Sequence, residues 1–555
     1  MKWEIKGKLK SPKSKIKTDD IVEVLLKNRD LKTKKQKDEF FKPKHPDKLT
    51  LKELGIKAKE VKKAIGRIKK AKDKNEKVIV FGDYDTDGVC ATAILWECLY
   101  VLEIDVLPFI PERVSEGYGI KPETIKKLKE KHKDLSLIIT VDNGIVANKA
   151  VNAANKLGID VIISDHHEPG KTLPKAHAIV HTIKISGSGV SWILAREIRK
   201  AFKIKDSKLK NGNGLELSAV GTIADILPLT GPNRSIAKFG LEKLNDTTRP
   251  GLSEMFRESK LERGNIGSYG VGFVISPRLN AMGRLEHALD SLRLLCTTDP
   301  SRATVLAKHI GKTNYERKKV VEEVVTHALD LSGKREWEGV IVLAHESYHE
   351  GVIGLAASRL VEEFYRPAIV LSKGDEYSKA SARSISGFNL IESIRKVGDI
   401  FEELGGHPMA AGFTIRTDRI EDFFQGLDKI AKPLLTDEVL TKSLKVDLEL
   451  DFKLLTWDLQ KKIAQFEPTG FGNPTPKFAT RGVNVLESKT VGFEGRHLKL
   501  VFEYSGKVFD AIAFGFGEMA TKVLSGTQVN IVYALEENEW NGNKTLQLMI
   551  KDITI

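Results

Sequence analysis

The stretch "VIVFGDYDTDGVCATAIL", residues 78–95, contains three aspartates at alternate positions, Asp83, Asp85 and Asp87. An EF-hand calcium loop begins in the same way, but it follows a helix and has a glutamate at its twelfth position. Here the twelfth position is Ile94, and the aspartates follow "VIVF", an apolar β-branched run that predicts a buried strand. The run after them, "VCATAILWECLYVL", predicts a mostly buried helix. The aspartates therefore lie on a turn from strand to helix, which argues against a calcium loop.

Strands and helices alternate on both sides of this turn. "KVIVFGD", "DVLPFIP", "LSLIITVDNG" and "DVIISDHHEPG" are strand-like runs separated by helical patterns, which predicts a parallel sheet with helices on both faces. A second α/β unit begins at "EGVIVLAHESYHEGVIGLAASRL", and alternating runs such as "HLKLVFEYSGKVFDAIAFGFG" predict a small C-terminal β-barrel. We therefore predict an α/β protein with a basic N-terminal segment (1–72), a parallel-sheet domain (73–290), a helical connector (291–336), a second α/β domain (337–436) and a barrel (437–555).

The composition is that of a multidomain globular protein: 555 residues, 41% of them hydrophobic and 30% charged. We find no apolar run long enough to span a membrane and no apolar core of a signal peptide at the N-terminus. The three cysteines, Cys90, Cys98 and Cys296, form no CxxC pair. Together these features predict a cytoplasmic protein without disulfides or structural zinc.

The positive charge is concentrated near the N-terminus. The chain has a net charge of +14, and residues 1–70 contain 24 basic and 10 acidic residues, so the rest of the chain is neutral. A basic arm suits a polyanion such as nucleic acid. We weigh this against a solvated lysine-rich tail and against a structural segment, and we expect residues 41–70 to form a helical lead-in that packs on the first strand.

Acidic and imidazole side chains recur where the predicted strands of the first domain end. Asp142 follows "LIITV", and "DHH", residues 165–167, follows "VIIS". Asp225, in "GTIADILPL", could reach the same edge from a helix. The carboxyl ends of parallel strands share one edge, where open α/β folds place their sites. One aspartate after a strand is usually a turn or helix cap, but the repetition predicts a cleft lined by carboxylates and imidazoles.

Crowded carboxylates repel one another unless a cation holds them. Carboxylate and imidazole ligands suit manganese, and also magnesium. The cleft has more carboxylates than one ion needs, which predicts two divalent ions about 4 Å apart. Such a pair can activate a water molecule and stabilise the leaving oxygen of a phosphodiester.

The motifs, in this order, resemble those of a known family. "GDYDTDG", "VDNG", "SDHHEPG" and "GTIADILPL" are similar to the motifs of the DHH phosphoesterase superfamily. "IPERVSEGYGI", "PRLNAMGRL", "HEGVIGLAASRL", "SARSISGFNL" and "GGHPMAAGFTI" narrow the resemblance to its RecJ family of single-strand-specific DNA exonucleases. The resemblance covers residues 75–555 and implies a DHH domain, a DHH-associated domain and a C-terminal OB fold.

The resemblance implies a 5′-to-3′ exonuclease that uses two divalent ions, manganese or magnesium. The metal ligands carried over by motif are Asp85, Asp87, Asp142, His166 and Asp225. Asp83 belongs to the same motif and is a further candidate ligand, although it could instead order the turn from behind the ligands. Asp142 and His167 are the predicted catalytic residues, with His167 contacting the scissile phosphate or orienting the water.

Two positions depart from the family pattern. Phe81 stands where many superfamily members have a histidine, which implies that one metal site is weaker or completed differently. His181 and Thr182 follow "AIV", where the family commonly has Asn-Pro, which puts the next loop in doubt.

The predicted contacts to DNA lie in motifs of all three domains. They are Arg113, Arg278, Asn280, Arg284, Ser381, Arg383, His407 and Trp540. Arginine offers planar, bidentate donors to phosphate, although a single arginine is more often the partner of a surface carboxylate. Trp540 is at a predicted hairpin turn, where it could stack on a base or close the barrel, and Phe471 is similarly ambiguous.

Two other functions remain open at this stage. The same fold could cleave short oligonucleotides or cyclic dinucleotides, although these need neither a barrel nor a basic arm. It could also be a catalytically inactive scaffold for single strands, although the metal motifs are intact. The resemblance implies single-stranded DNA as substrate, with a single-strand-binding protein and a helicase as protein partners, and we expect a monomer that does not bind membranes.

Overall fold

The structure is a computed structural model that describes residues 1–9, 16–113, 115–332, 337, 339–540 and 542–555, with the backbone alone for Ser332 and Trp540. The chain forms two compact units. The barrel unit consists of Met1–Lys44, Pro228–Gly231 and Lys442–Ile555, and the α/β unit consists of His45–Leu227 and Pro232–Thr441.

The N-terminal part of the barrel unit has regular structure. Its elements are β1 (Lys2–Ile5), α1 (Thr18–Lys27) and α2 (Lys34–Phe41). α2 begins with a capping box in which the side chains of Thr33 and Gln36 bond to each other's backbone N–H groups.

The α/β unit begins with a parallel sheet. Its elements are α3 (Leu51–Leu54), α4 (Ala58–Asp73), β2 (Lys77–Phe81), α5 (Thr86–Tyr100), β3 (Val106–Phe109), α6 (Pro122–Lys131), β4 (Leu135–Val141), α7 (Asn148–Lys156), β5 (Asp160–Asp165), β6 (Ala178–His181) and α8 (Gly187–Phe202). The strand order is β3-β2-β4-β5-β6, and every pairing is parallel. β4, "LSLIITV", is buried at all positions but one, as expected of a strand covered by helices on both faces.

A helical layer continues from this sheet towards the second domain. It consists of α9 (Leu215–Ala224), α10 (Gly231–Asn245), α11 (Pro250–Ser259), α12 (Ser268–Gly270), a π-helical turn (Val271–Ile275), α13 (Ser276–Leu285), α14 (Leu289–Cys296) and α15 (Pro300–Ser332). α15 joins two cores, because Ala303, Ala307 and Ile310 pack in the core of the first sheet, whereas Val324 and Ala328 pack in the core of the second.

The second α/β domain has a mixed sheet. Its elements are β7 (Ile341–His345), α16 (Ile353–Phe364), β8 (Ala368–Ser372), β9 (Tyr377–Arg383), α17 (Leu390–Arg395), β10 (Phe401–His407), β11 (Ala410–Arg416), α18 (Ile420–Ala431) and α19 (Asp437–Leu440). The strand order is β10-β11-β9-β8-β7, in which only β7 and β8 pair in parallel.

The C-terminal residues form a closed barrel. The elements are β12 (Ser443–Val446), β13 (Leu448–Glu449), α20 (Trp457–Ala464), β14 (Phe478–Val491), β15 (His497–Tyr504), β16 (Lys507–Ala513), β17 (Gln528–Trp540) and β18 (Asn543–Thr554). The order is β14-β15-β16-β18-β17, and β17 pairs back with β14 to close the barrel. The predicted fold class is therefore confirmed, with two α/β sheets followed by a barrel.

The N-terminal segment differs from the solvated tail that we weighed. Ile21, Leu25, Leu26 and Phe40 are buried in the core of the barrel, and β1 pairs in parallel with β12. The described part of residues 1–44 is therefore structural. The predicted lead-in helix exists as α4. It packs against the edge strand β6, where Ile179 donates its N–H to Glu60 Oε2 at 3.1 Å, and its buried side chains belong to the same core as Val78 and Val80 of the first strand of the sheet. Among the described residues, no helix is both long and apolar enough to cross a bilayer.

Candidate metal centre and nucleic-acid contacts

The turn between β2 and α5 is fixed by its own aspartates. Asp85 caps α5 by accepting the N–H of Gly88 at 2.9 Å. Asp87 reaches the first turn of α8, where it accepts the N–H groups of Gly187 at 2.7 Å and Ser188 at 3.1 Å. Both carboxylates thus lie at helix N-termini, whose exposed N–H groups favour negative charge.

Close packing behind the turn requires glycine. A Cβ atom on Gly88 would lie 2.6 Å from the Cβ of Asp83. The other side of the turn is held by α13, because Asn280 Oδ1 accepts the N–H of Thr86 at 2.7 Å and its hydroxyl at 3.0 Å. α13 therefore holds Thr86, which lies between Asp85 and Asp87.

Asp142, His166 and Asp225 come from three other chain segments. Asp142 follows β4 and has a φ of +60°, a left-handed conformation that is uncommon outside glycine. His166 follows β5, and its Nε2 lies 3.1 Å from Asp142 Oδ1 and 3.5 Å from Asp225 Oδ2. Asp225 ends α9, and the next residue, Ile226, also has a positive φ, +55°. Two strained residues at one site indicate that the surrounding structure holds these side chains for function.

Among the described residues, three overlapping groups of side chains have ligand atoms within 4.8 Å of one another. The groups are Asp83, Asp85 and Asp142; Asp87, His166 and Asp225; and Asp142, His166 and His167. Asp142 and His166 each belong to two groups, so the first two groups lie side by side. This arrangement has the donors for two adjacent cations.

The electrostatics of the cluster favour a bound cation. Asp83 Oδ1 and Asp142 Oδ1 are buried and accept no well-aligned hydrogen bond from the described residues, although His166 Nε2 lies 3.1 Å from Asp142 Oδ1. Burial, reinforced by neighbouring carboxylates, raises the pKa of Asp83 and of Asp142 well above the ordinary value. Burial and the charges of Asp87 and Asp85 raise the pKa of Asp225 to about 8. Orphaned carboxylate oxygens with one imidazole are a donor set that fits Mn²⁺ or Mg²⁺.

His167 is held differently from His166. Its Nδ1 donates to Asp165 Oδ1 at 2.8 Å, and its Nε2 lies 3.1 Å from the hydroxyl of Tyr118. Burial lowers the pKa of His167, but the hydrogen bond to Asp165 and its charge outweigh burial, so the net pKa is above the ordinary value. Asp165 is buried and also accepts the N–H of Ile145, so it orients His167 rather than lining the cluster.

Four arginines converge beside the acidic cluster. Arg113 lies over the ring of Tyr84, 4.7 Å from its centroid, and Arg284 donates to the carbonyl of Gly351 at 3.0 Å. Burial, followed by the charges of Arg113, Arg317 and Arg383, lowers the pKa of Arg284 to about 9. In the described part of the chain none of the four has a carboxylate at ion-pair distance, so together they form a site for an anion such as phosphate.

The second sheet presents two rows of residues beside these arginines. One row across β10, β11 and β9 is His407, Ala410 and Arg383, and the row two positions along, on the same face, is Gly405, Gly412 and Ser381. Arg383 Nη1 donates to Ser381 Oγ at 3.2 Å. The glycine row leaves the sheet surface bare next to Arg383, so a ligand can approach the backbone closely there.

Family models match all three domains. The DHH family N-terminal domain matches residues 77–222, the DHHA1 domain matches 338–432 and the RecJ OB domain matches 446–552. The single-stranded-DNA-specific exonuclease RecJ of Bacillus subtilis (strain 168) is 37% identical over 564 residues, which covers 100% of this chain and 71% of the relative. The chain belongs to the RecJ family.

Solved RecJ structures agree with the fold. RecJ of Thermus thermophilus in complex with Mn²⁺ matches with a TM-score of 0.81 and 29% identity, over 97% of this chain and 76% of that chain. The complex of the same protein with Mg²⁺ matches with a TM-score of 0.74 and 28% identity, over 96% of this chain and 74% of that chain.

Two residues that we predicted from RecJ motifs to contact DNA are engaged inside the protein. Asn280 holds Thr86, as described above. Arg278 donates to Glu258 Oε2 at 2.9 Å and to the carbonyl of Val274 at 3.1 Å. Both residues lie on α13 with Arg284, but their side chains stabilise the α13 surroundings instead of joining the arginine cluster.

The remaining predicted positions fall into three groups. Phe81 is fully buried and packs against Phe109, away from the acidic cluster, so this RecJ chain has no ligand at that position. His181 and Thr182, which stand in place of Asn-Pro, both form hydrogen bonds to the backbone. His181 Nε2 donates to the carbonyl of His167 at 2.7 Å, and Thr182 Oγ1 donates to the carbonyl of Leu54 at 2.6 Å. Phe471 is 62% exposed, and the side chain of Trp540 lies outside the described residues.

Sequence reasoning missed three supporting groups of this RecJ site. Tyr118, in "SEGYGI", contacts His167, and its position inside a quoted motif was an available signal. The N–H groups of Gly187 and Ser188 hold Asp87, and "ISGSG" is a recognisable helix start. Arg317 lies on the charged helix α15, where no sequence signal separates it from neighbouring solvated charges.

Proposed function

We propose that this chain is a metal-dependent exonuclease that hydrolyses single-stranded DNA in the 5′-to-3′ direction and releases nucleotides, in DNA recombination and repair. The observation that carries the proposal is the pair of adjacent ligand groups with orphaned carboxylates in a member of the RecJ family. RecJ of Thermus thermophilus has been crystallised with Mn²⁺ and with Mg²⁺, which supports either ion as the cofactor here.

The ligand groups suggest how two ions would be shared. Asp83, Asp85 and Asp142 would hold one ion, and Asp87, His166 and Asp225 would hold the other. This makes Asp83 a metal ligand instead of a residue that only orders the turn, because its Oδ1 is buried beside Asp85 and Asp142 without a donor. Bound ions of this kind supply a water of lowered pKa and stabilise charge on the leaving oxygen.

The residues of the chain perform the remaining tasks. Asp165 fixes His167 with Nδ1 as the donor and holds its pKa up, so that Nε2 can donate a proton to a phosphate oxygen; when neutral, Nε2 can instead accept from the attacking water. The arginine cluster of Arg113, Arg284, Arg317 and Arg383, with Ser381 and His407, would hold a phosphate of the strand at the edge of the acidic cluster.

Polarity and partners are expectations that come from the family. A single-strand-binding protein and a helicase as partners, and a monomeric state, stay predictions, since no described residue identifies them. Trp540 remains a proposed base-stacking residue because it lies at the β17–β18 hairpin, opposite Asn543.

A time course of strand digestion tests the function. We expect a long single strand with a label on its 5′ nucleotide to lose the label at once in Mn²⁺ or Mg²⁺, and a 3′ label to be released last. A strand digested first from its 3′ end would overturn the polarity. Turnover of a dinucleotide with no loss of the long strand would favour the short-substrate enzyme, and binding without cleavage would favour the inactive scaffold.

A further inference from the structure

The barrel itself supplies no excess positive charge. Residues 442–555 contain 14 basic and 14 acidic residues, whereas residues 1–44 contain 15 basic and 7 acidic residues. Proteins that bind single strands track the backbone with a positively charged groove. In this chain the positive charge of the barrel unit therefore comes from the N-terminal segment that packs on the barrel.

The segment docks through its first strand. β1 pairs with β12 in the register Lys2↔Ser443 to Ile5↔Val446. Trp3 and Ile5 face inwards and cover Val446, Ala479 and Val532 on the outside of the barrel, and Trp3 Nε1 donates to Asp552 Oδ2 at 2.6 Å. Lys2, Glu4 and Lys6 alternate with these residues and are exposed.

The backbone ladder next to this small core brings three lysines together. Lys6 donates its N–H to Val446 O at 2.9 Å, and the next barrel residue, Asp447, donates its N–H to Lys477 O at 2.8 Å. Lys477 directly precedes Phe478 on β14, and Phe478 pairs with Tyr533 on β17. Tyr533 pairs in turn with Ile550 on β18, and Lys551 is the next residue. Lys6, Lys477 and Lys551 therefore lie at one level of alternate strands, next to β1, at the start of β14 and on β18, with β12 and β17 between them.

The charges of these lysines act on one another. Burial lowers the pKa of Lys477, Asp447 opposes that effect, and Lys551, Lys6 and Arg29 lower it further. The carboxylate of Asp447 already accepts the side-chain N–H of Asn28 at 3.0 Å and the N–H of Lys477 at 3.0 Å. Glu536 lies near Lys551. Lys6, Lys477 and Lys551 thus repel one another, and the carboxylate of Asp447 is largely occupied by its hydrogen bonds to Asn28 and to the backbone of Lys477.

We propose that Lys6, Lys477 and Lys551 form a backbone-phosphate contact for single-stranded DNA on the outer face of the barrel, completed by the N-terminal strand. The inference rests on the proposed function, because single-stranded DNA is the polyanion on which that activity acts. Arg29 is not part of the contact surface, since its guanidinium is buried against Asn473 and Pro474. It locks the N-terminal segment to the barrel, and that lock places Lys6 beside Lys477.

The test compares two triple variants of the full chain. One carries Lys6→Gln, Lys477→Gln and Lys551→Gln; the control carries Lys126→Gln, Lys149→Gln and Lys156→Gln, which remove the same charge from exposed positions on α6 and α7. Affinity for a long oligothymidine is measured by fluorescence anisotropy in chelator over a range of salt concentrations. Each phosphate contact to a single strand contributes about 0.7 to the salt slope, so we expect the first variant to bind about tenfold more weakly at low salt with a slope smaller by about 2.

The control should keep the wild-type affinity and slope. Mn²⁺-dependent hydrolysis of a dinucleotide, which reaches only the metal centre, should be the same in all three proteins. If both triple variants bind alike, the proposed surface is solvated and the inference is overturned. If the wild-type chain fails to cleave DNA, the proposed function fails, and the binding data still decide the inference. Lys551→Gln alone, which leaves the β1 seam intact, should reduce the slope by about 0.7, and no reduction in this variant would also overturn it.

Discussion

At the residue scale, the acidic cluster brings together buried carboxyl groups whose charge a bound cation would stabilise. Asp83 and Asp142 are each 2% exposed and lack hydrogen-bond donors on one oxygen. A buried carboxylate without a partner costs free energy, and like charges at close range add to that cost. The left-handed backbone of Asp142 adds strain. These costs are compensated by the rest of the fold and are recovered when a divalent ion binds.

Tyr118 gives a prediction about His167. Replacing Tyr118 by Phe removes the hydroxyl that lies 3.1 Å from His167 Nε2 and 3.3 Å from the carbonyl of Asp142, without changing the shape of the ring. Loss of one such hydrogen bond is worth about 1 kcal/mol, so kcat should fall about threefold to tenfold. Mn²⁺ affinity should not change, because Tyr118 is not a ligand; Tyr269→Phe, at an exposed tyrosine, is the control. Single-turnover rates test this, and an unchanged rate for Tyr118→Phe would show that the hydroxyl has no part in catalysis.

At the element scale, helices fix the site from outside the sheet. The N-termini of α5 and α8 donate backbone N–H groups to Asp85 and Asp87. The helix α13 supports the metal turn with one residue and the arginine cluster with another. Asn280 holds the metal turn, while Arg284, one turn further along α13, joins the arginine cluster and contacts the second domain at Gly351.

The two residues on α13 should therefore separate metal binding from DNA binding. Asn280→Ala leaves the N–H of Thr86 without its acceptor and loosens the turn, so Mn²⁺ affinity should fall about tenfold to a hundredfold, as for other residues that orient metal ligands. Arg284→Gln should leave Mn²⁺ affinity unchanged and weaken binding to single strands. Calorimetric Mn²⁺ titrations and DNA anisotropy in chelator measure the two effects. Equal losses of DNA affinity in both variants would show that Asn280 contacts DNA after all.

The N-terminal helix α1 should contribute to the stability of the barrel. Leu25 is fully buried among barrel residues, so Leu25→Ala leaves a cavity and should lower the free energy of unfolding by about 3 kcal/mol. Leu524→Ala, at a leucine that is 55% exposed, should change it by less than about 1 kcal/mol. Denaturant titration measures both. A Leu25→Ala variant as stable as wild type would mean that the segment is only loosely attached.

At the scale of the whole molecule, the features that could be predicted from the sequence are those marked by a pattern of neighbouring residues. Asp83, Asp85 and Asp87 lie on a turn whose flanking strand and helix are visible in the sequence, and the other ligands follow strands or end a helix. The docking of β1 on β12 joins residues more than 400 positions apart, and such a pairing has no local signature. Motif membership also gave no information on side-chain direction, so the hydrogen bonds of Arg278 to Glu258 and of Asn280 to Thr86 could not be predicted.

Strand selectivity is a property of the whole α/β unit. Its two domains approach so closely beside the arginine cluster that a Cβ atom on Gly351 would lie 2.0 Å from the carbonyl oxygen of Arg284. Our hypothesis is that the cleft between the two domains is too narrow for a duplex. A blunt duplex should then resist digestion, while a duplex with a 5′ single-stranded overhang is digested. Gel assays with the two substrates measure this, and equal rates would contradict a channel limited to one strand.

If the acidic cluster holds two divalent ions, a Mn²⁺ titration followed by electron paramagnetic resonance of the free ion will count them. We expect two Mn²⁺ per wild-type chain and the same stoichiometry for the control Asp246→Asn, an exposed aspartate. Asp142→Asn alters a residue that belongs to two ligand groups, so the variant should retain one ion or none, with loss of strand cleavage but not of folding. A wild-type chain that binds no Mn²⁺, or an Asp142→Asn chain that still binds two ions and cleaves DNA, would contradict the account.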